Sequence, residues 1–164
     1  MKKYRENGNF YLVIAFLVMA LLFWSSSQTY AEQSQIGLLE KLLHNQPLKE
    51  SLSKISFDYA GSNVSIKSSG YFSFVEFFIR KGAHFFTYFV MGGALFLGVF
   101  PKLNRYWLTA GLAWLAATGY AGLDEFHQML TGGRTPLFQD VFLDSMGALT
   151  GVALFLLVRF LKKK

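Results

Sequence analysis

Apolar residues fall in four blocks along the chain, each separated from the next by polar or turn-forming residues. The blocks cover about residues 10–27, 83–100, 106–123 and 141–160. An α-helix rises about 1.5 Å per residue, so each block is roughly long enough to cross a hydrocarbon core about 30 Å thick. The pattern predicts an all-α membrane protein with four transmembrane helices, forming a single domain over residues 1–164.

The longest polar interval, residues 28–80, predicts an extracytoplasmic lid between the first two spans. Ile36, Leu39 and Leu43 recur at helical spacing before Pro47, which predicts a short amphipathic helix. Residues 55–66 alternate apolar and polar positions around the turn sequence at 60–63, which predicts a β-hairpin. The aromatic run at 71–79 is typical of a membrane interface.

Charge gives these spans a direction. Basic residues flank the apolar blocks at Lys2, Lys3, Arg5, Lys102, Arg105, Arg159, Lys162, Lys163 and Lys164. With four spans, all of them fall on one side, and the positive-inside rule makes that side cytoplasmic. Both termini are therefore predicted to be cytoplasmic. The net charge of +6 follows this placement and does not indicate a nucleic-acid partner. The absence of cysteine excludes disulfides and thiolate metal sites.

The first block has one alternative reading. A basic start, an apolar stretch and the small-x-small sequence Thr29-Tyr30-Ala31 also describe a cleavable signal peptide. The apolar stretch 10–24 is at the long end for such a signal, which favours a retained first span. In either case residues 28–80 are predicted to lie outside.

The predicted topology gathers ionisable residues of the last three spans, together with the amide Gln128, at the outer ends of those spans. The set comprises Arg80, Lys81, His84, Asp124, Glu125, His127, Gln128, Arg134, Asp140 and Asp144. His84 and Tyr88 are four residues apart, as are Asp140 and Asp144, so each pair shares a helix face. Polar groups near hydrocarbon are costly when unpaired, so Asp144 is expected to meet His84, Lys81 or Arg134. Gly147 and Gly151 predict close helix approach on the same stripe.

Three chemistries suit this set of residues. Histidine and carboxylate groups supply nitrogen and oxygen ligands for a divalent metal, or a general acid–base pair. Arg134 and Lys81 suit an anionic group on a molecule in the outer leaflet. The chain contains no tight motif such as H-E-x-x-H and no recognisable nucleophile. Anion binding ranks first because it needs the least special geometry, and no metal, other cofactor or catalytic residue is predicted.

Three segments resemble the VanZ-like family of bacterial integral membrane proteins. Lys81-x-x-His84-x-x-x-Tyr88 resembles the family's K-x-x-H-x-x-x-Y sequence. Asp124-Glu125-x-x-Gln128, then Gly133-Arg134, and Asp140 with Asp144-x-x-Gly147 are similar to its later motifs. The resemblance implies a multi-pass protein of the bacterial cell membrane. By matching position, its ligand-binding residues would be Lys81, His84, Tyr88, Asp124, Glu125, Gln128, Arg134, Asp140 and Asp144.

The family's namesake is linked to resistance to the glycopeptide teicoplanin. The expected function is therefore binding of an outer-leaflet lipid-linked envelope component or an amphiphilic glycopeptide, with a contribution to teicoplanin resistance. Membrane lipids, a lipid-linked cell-wall precursor and lipoglycopeptides are the expected partners. The alternative is a membrane hydrolase or transferase that acts on a lipid-linked substrate through a histidine–carboxylate site.

Overall fold

The computed structural model describes residues 8–132 and 136–162, most of them in four long helices. These are α1 (Asn9–Ser26), α6 (Tyr71–Leu103), α7 (Tyr106–Gly132) and α8 (Phe138–Lys162). Shorter elements connect α1 to α6: α2 (Tyr30–Gln33), α3 (Ile36–Leu42), α4 (Lys49–Leu52), β1 (Ser56–Tyr59), β2 (Ser62–Ser65) and α5 (Ile66–Ser69).

Three helices within the described residues are long and apolar enough to cross a membrane: α1, α6 and α8. They contain the first, second and fourth predicted spans, so this part of the prediction is confirmed. The third predicted span lies in α7, which has 27 residues but is not among the three apolar helices. Its crossing, and with it the four-span topology, stays a prediction.

Three helix boundaries differ from those predicted. The second span was predicted to begin near residue 83, but α6 begins at Tyr71 and includes the aromatic run at 71–79, whose position at the membrane interface stays a prediction. The interval 124–139 between the third and fourth predicted spans was expected to be a loop. This was wrong for residues 124–132, because α7 continues to Gly132, and for residues 138–139, because α8 begins at Phe138. Leu123, Phe126 and Leu130 prolong the exposed apolar stripe of α7, while Asp124 and Gln128 prolong its buried stripe. The helical period is therefore unbroken through the polar residues, and a polar composition alone does not end a helix.

The hairpin is confirmed and lies against α6. Strands β1 and β2 pair antiparallel with Phe57 opposite Val64. Ala60 and Gly61 form the turn with φ values of 51° and 79°, the left-handed backbone that two-residue hairpin turns require. The Phe57 and Tyr59 rings pack edge-on against Phe77 of α6. The predicted short helix is α3, and the outer-surface position of this whole connecting segment stays a prediction.

Helices α6 and α8 run in the same direction and are packed backbone to backbone. A Cβ atom at Gly147 would overlap the carbonyl oxygen of Phe85, and one at Gly151 would overlap that of Phe89. Gly92 of α6 meets the Ala148 backbone in the same way. The close approach predicted for the two glycines of α8 is therefore confirmed, and it turns the face that carries Asp144 toward α6.

Candidate functional site

Two charged pairs join the first turns of α8 to α6. Nζ of Lys81 lies 2.6 Å from Oδ1 of Asp140, and Nδ1 of His84 lies 3.2 Å from Oδ2 of Asp144. The pairs are one helical turn apart on both helices, so the parallel packing brings them together in register. The expectation that these carboxylates find a partner on α6 is confirmed.

The hairpin adds a third group to the outer pair. The Tyr59 hydroxyl donates a hydrogen bond of 2.5 Å to the same Asp140 oxygen that Lys81 contacts. Nζ of Lys81 also lies 4.9 Å from the centre of the Tyr59 ring. Burial raises the pKa of Tyr59 well above its usual value, and the neighbouring Asp140 carboxylate raises that pKa further. The phenol therefore stays protonated and remains a donor across the physiological pH range.

A deeper cluster lies one turn further along, between α6, α7 and α8. His84, Asp124 and Asp144 each place one nitrogen or oxygen atom within 4.8 Å of the others. Asp124 is 5% exposed and Asp144 is 4% exposed, while Tyr88 beside them is fully buried. Nε2 of Gln128 donates to Oδ2 of Asp124 over 3.2 Å. Among the described residues, these are the groups that offer a ligand set for a metal ion.

Glu125 lies at this end of the molecule too, but its hydrogen-bond partner is the chain just before α8. Oε1 of Glu125 accepts a 2.7 Å hydrogen bond from the Leu137 backbone, so this carboxylate holds the chain just before α8. Arg134 lies outside the described residues, so its role stays a prediction. The other seven predicted residues, Lys81, His84, Tyr88, Asp124, Gln128, Asp140 and Asp144, lie at the same end of the α6–α8 contact. Ligand binding by these residues stays a prediction.

Sequence reasoning missed three polar contributors at this end of the molecule. Tyr59 was read only as a strand residue, and nothing in its local pattern indicates a contact with a residue 81 positions away. Ser26 ends α1 and its hydroxyl lies 3.0 Å from Nδ1 of His127. Glu76 is 1% exposed and accepts a hydrogen bond from the Gln35 backbone. For Glu76, the sequence signal was a single carboxylate within the aromatic run, which could have indicated a polar contact there.

The fold and the site define a helical membrane protein with polar groups buried between three of its long helices. The family model described as VanZ/LLP1 matches residues 10–159. The chain therefore belongs to the VanZ/LLP1 family, which confirms the resemblance seen in its motifs. No curated protein and no solved structure matches the chain.

Proposed function

We propose that this VanZ-family protein crosses the bacterial cell membrane four times, with both termini in the cytoplasm, and binds an amphiphilic envelope molecule in the outer leaflet. Two sets of contacts support the topology. Helices α6 and α8 run in the same direction, because Lys81 pairs with Asp140 near their beginnings and Gly93 faces Phe155 further along. If both cross the membrane, α7 has to bring the chain back across it.

The surface of α7 agrees with such a crossing. Its exposed face carries an apolar stripe along its length: Leu108, Leu112, Leu115, Leu123, Phe126 and Leu130. Its buried face carries Thr109, Asp124 and Gln128 together with small residues. When a helix turns its polar groups inward, those groups lower its mean hydropathy, although its outer face still exposes apolar side chains to lipid. The moderate hydropathy of α7 therefore follows from the site that it helps to build.

An apolar groove beside a charged pair is the observation that supports an amphiphile as the ligand. The groove has a volume of about 460 Å³ and is lined by Tyr59, Phe138, Gln139, Phe142, Leu143 and Met146. Tyr59 also bonds Asp140, which is paired with Lys81. An amphiphile with its chain in the groove would place its head group at this pair, where Lys81 keeps 24% of its side chain exposed. Lys81 and Arg134 are the proposed anion-contacting groups.

A lipid-binding measurement tests this proposal. The full chain would be placed in phosphatidylcholine nanodiscs with undecaprenyl phosphate or teicoplanin as the probe, and bound probe would be measured by mass spectrometry. Lys81→Ala combined with Arg134→Ala should lower binding at least tenfold. Lys102→Ala is the matched control, because Lys102 bonds Asn9 at the opposite end of α6. Equal binding by the double variant and the control would overturn the proposal.

Resistance and topology supply two independent checks. Cells that express the wild-type chain should grow at higher teicoplanin concentrations than cells that express the double variant at equal abundance. Reporter fusions at Asn104 and Lys164 should be cytoplasmic, and a fusion at Asn63 should be external. A mature N-terminus at Glu32 would show that the first span is a signal peptide and would reduce the spans to three.

The deeper cluster favours a second candidate, a hydrolase or transferase acting on a lipid-linked substrate. Its basis is the contact between His84 and Asp144, a histidine–carboxylate pair of the kind that transfers protons in catalysis. Under this alternative His84→Ala or Glu125→Ala should abolish turnover while the probe still binds. Under the binding proposal both variants should weaken binding in graded fashion, and no altered lipid should form.

A further inference from the structure

The three groups of the deeper cluster carry an imbalance of charge. Asp124 and Asp144 are almost fully buried and approach each other with His84 between α6, α7 and α8. Even with His84 protonated, two ionised carboxylates leave one net negative charge. Lys81, one turn before His84 on α6, is paired with Asp140. Buried like charges are unfavourable unless a proton or a cation compensates them.

Polar atoms around the cluster also lack hydrogen-bond partners among the described residues. They are Oδ1 of Asp124, Oδ1 of Asp144 and the hydroxyl of Tyr88. Tyr88 is fully buried, one turn after His84 on the same face of α6. The carboxylates of Asp124 and Asp144 are near enough to its hydroxyl to interact with it electrostatically. Buried polar atoms are nearly always satisfied, so three such atoms around one cluster indicate an occupant.

We propose that His84, Asp124 and Asp144 bind one divalent transition-metal ion, with Tyr88 as a positioning residue beside it. One imidazole nitrogen and two carboxylate oxygens suit Zn²⁺ or Mn²⁺ better than Mg²⁺, which prefers oxygen ligands alone. Two carboxylates balance the charge of a divalent ion, and both are almost fully buried here. The hydrogen bond from Gln128 to Oδ2 of Asp124 holds that carboxylate in place, as outer groups do in metal sites.

The sequence offered a divalent metal as one of three chemistries but did not select these three ligands, because they come from three helices and form no short motif. The proposal does not rest on amphiphile binding, which uses the outer pair and the groove. Metal binding is measured without any lipid probe, so the two proposals fail separately. Three protein ligands also leave coordination positions for water or substrate.

A titration of the full chain tests the metal site. The protein would be purified in detergent without a histidine tag, stripped with a chelator and titrated separately with Zn²⁺ and Mn²⁺. We expect saturation at one ion per chain for at least one of them, and weaker binding of Mg²⁺. Absence of saturable binding of both ions to the wild-type chain would overturn the proposal, as would equally tight binding of Mg²⁺.

Variants assign the ligands. His84→Gln, Asp124→Asn and Asp144→Asn should each weaken binding at least tenfold, and Tyr88→Phe should weaken it less while preserving the one-to-one ratio. The matched controls, His127→Gln and His44→Gln, replace the chain's other two histidines. His127 lies one turn of α7 from Asp124 and contacts Ser26, whereas His44 lies on the exposed connecting segment. Equal loss in His84→Gln and His127→Gln would overturn the assignment. Helical content and elution as a single monodisperse peak show whether each variant is folded. If a ligand variant misfolds, the metal-to-protein ratio of the wild type and the affinity of Tyr88→Phe test the proposal instead.

Discussion

The contact between α6 and α8 has two halves that differ in how they hold the helices together. In the glycine half, Gly92, Gly147 and Gly151 bring backbone against backbone and leave no room for a methyl group. In the polar half, Lys81 and His84 face Asp140 and Asp144 across side-chain distances. One half is a tight backbone contact, and the other keeps Oδ1 of Asp144 without a hydrogen-bond partner among the described residues.

The difference indicates how a membrane helix pair supports charged residues near hydrocarbon. Close packing of small residues supplies the association, since apolar side chains gain little from leaving lipid. The association of the two helices then does not depend on the polar half, and the glycine contact positions the charged residues of that half. Gly147 lies less than one turn after Asp144 and fixes the distance from that carboxylate to α6. The site is therefore held by packing in the adjacent turns.

The largest effect is expected from adding one methyl group to the glycine half. Gly151→Ala would place a Cβ against the Phe89 carbonyl oxygen and the Gly93 nitrogen, both backbone atoms that cannot rotate away. Such overpacking costs about 1–3 kcal/mol or more. For Gly151→Ala, the free energy of unfolding in mixed micelles, followed by circular dichroism, should therefore fall by about 1–3 kcal/mol or more.

Gly119→Ala is the matched control. Gly119 lies in α7 and a Cβ there would meet no atom within 4 Å. Because alanine favours helices over glycine by about 0.5–1 kcal/mol, this change should be neutral or slightly stabilising. If both variants unfold alike, the glycine contact between α6 and α8 does not hold the pair together.

The long helices could be predicted from the sequence because they depend on its local hydrophobic period. The pairing of their charges could be predicted because an unpaired carboxylate near hydrocarbon is costly. Asp140 and Asp144 share a face by their spacing alone, and Gly147 and Gly151 predict what that face approaches. The meeting of Asp124 with His84, and of Tyr59 with Asp140, could not be predicted. Both depend on the rotation and register of separate elements, which no local pattern encodes.

An intermediate effect is expected from uncoupling the two charged pairs. The Asp144 side chain is 6% exposed and that of its partner His84 is 33% exposed, whereas the side chains of Lys81 and Asp140 keep 24% and 21% exposure. The two pairs therefore differ chiefly in the burial of their carboxylates. A double-mutant cycle with His84→Ala and Asp144→Ala should give a coupling energy of about 1–2 kcal/mol, in the upper range for polar pairs between membrane helices. The cycle for Lys81→Ala and Asp140→Ala should give less than about 1 kcal/mol, as for partly solvated pairs.

Both cycles would be measured with a chelator present, so that bound cations do not contribute to the coupling. Unfolding in mixed micelles again supplies the free energies. A larger coupling for Lys81 and Asp140 would mean that the outer pair, and not burial, stabilises the polar half.

The smallest effect is expected at the edge of the polar half, where the hairpin touches it. Tyr59→Phe removes one hydrogen bond to Asp140 and leaves Lys81 on the same carboxylate. The free energy of unfolding should fall by about 0.5–1 kcal/mol, the lower part of the usual range for one hydrogen bond. Tyr11→Phe is the matched control, since Tyr11 lies in α1 and takes no part in this contact.

The pH dependence of this effect has a definite sign. Folding raises the pKa of Tyr59, through burial first and the Asp140 carboxylate second, above its value of about 10 in the unfolded chain. The contribution of the phenol is therefore fully present below about pH 10 and is lost as the pH rises toward the folded-state pKa. The stability difference between wild type and Tyr59→Phe should stay constant from about pH 6 to 9 and shrink above about pH 10. A difference that shrinks already between pH 6 and 9 would show that the phenol is not held as a protonated donor to Asp140.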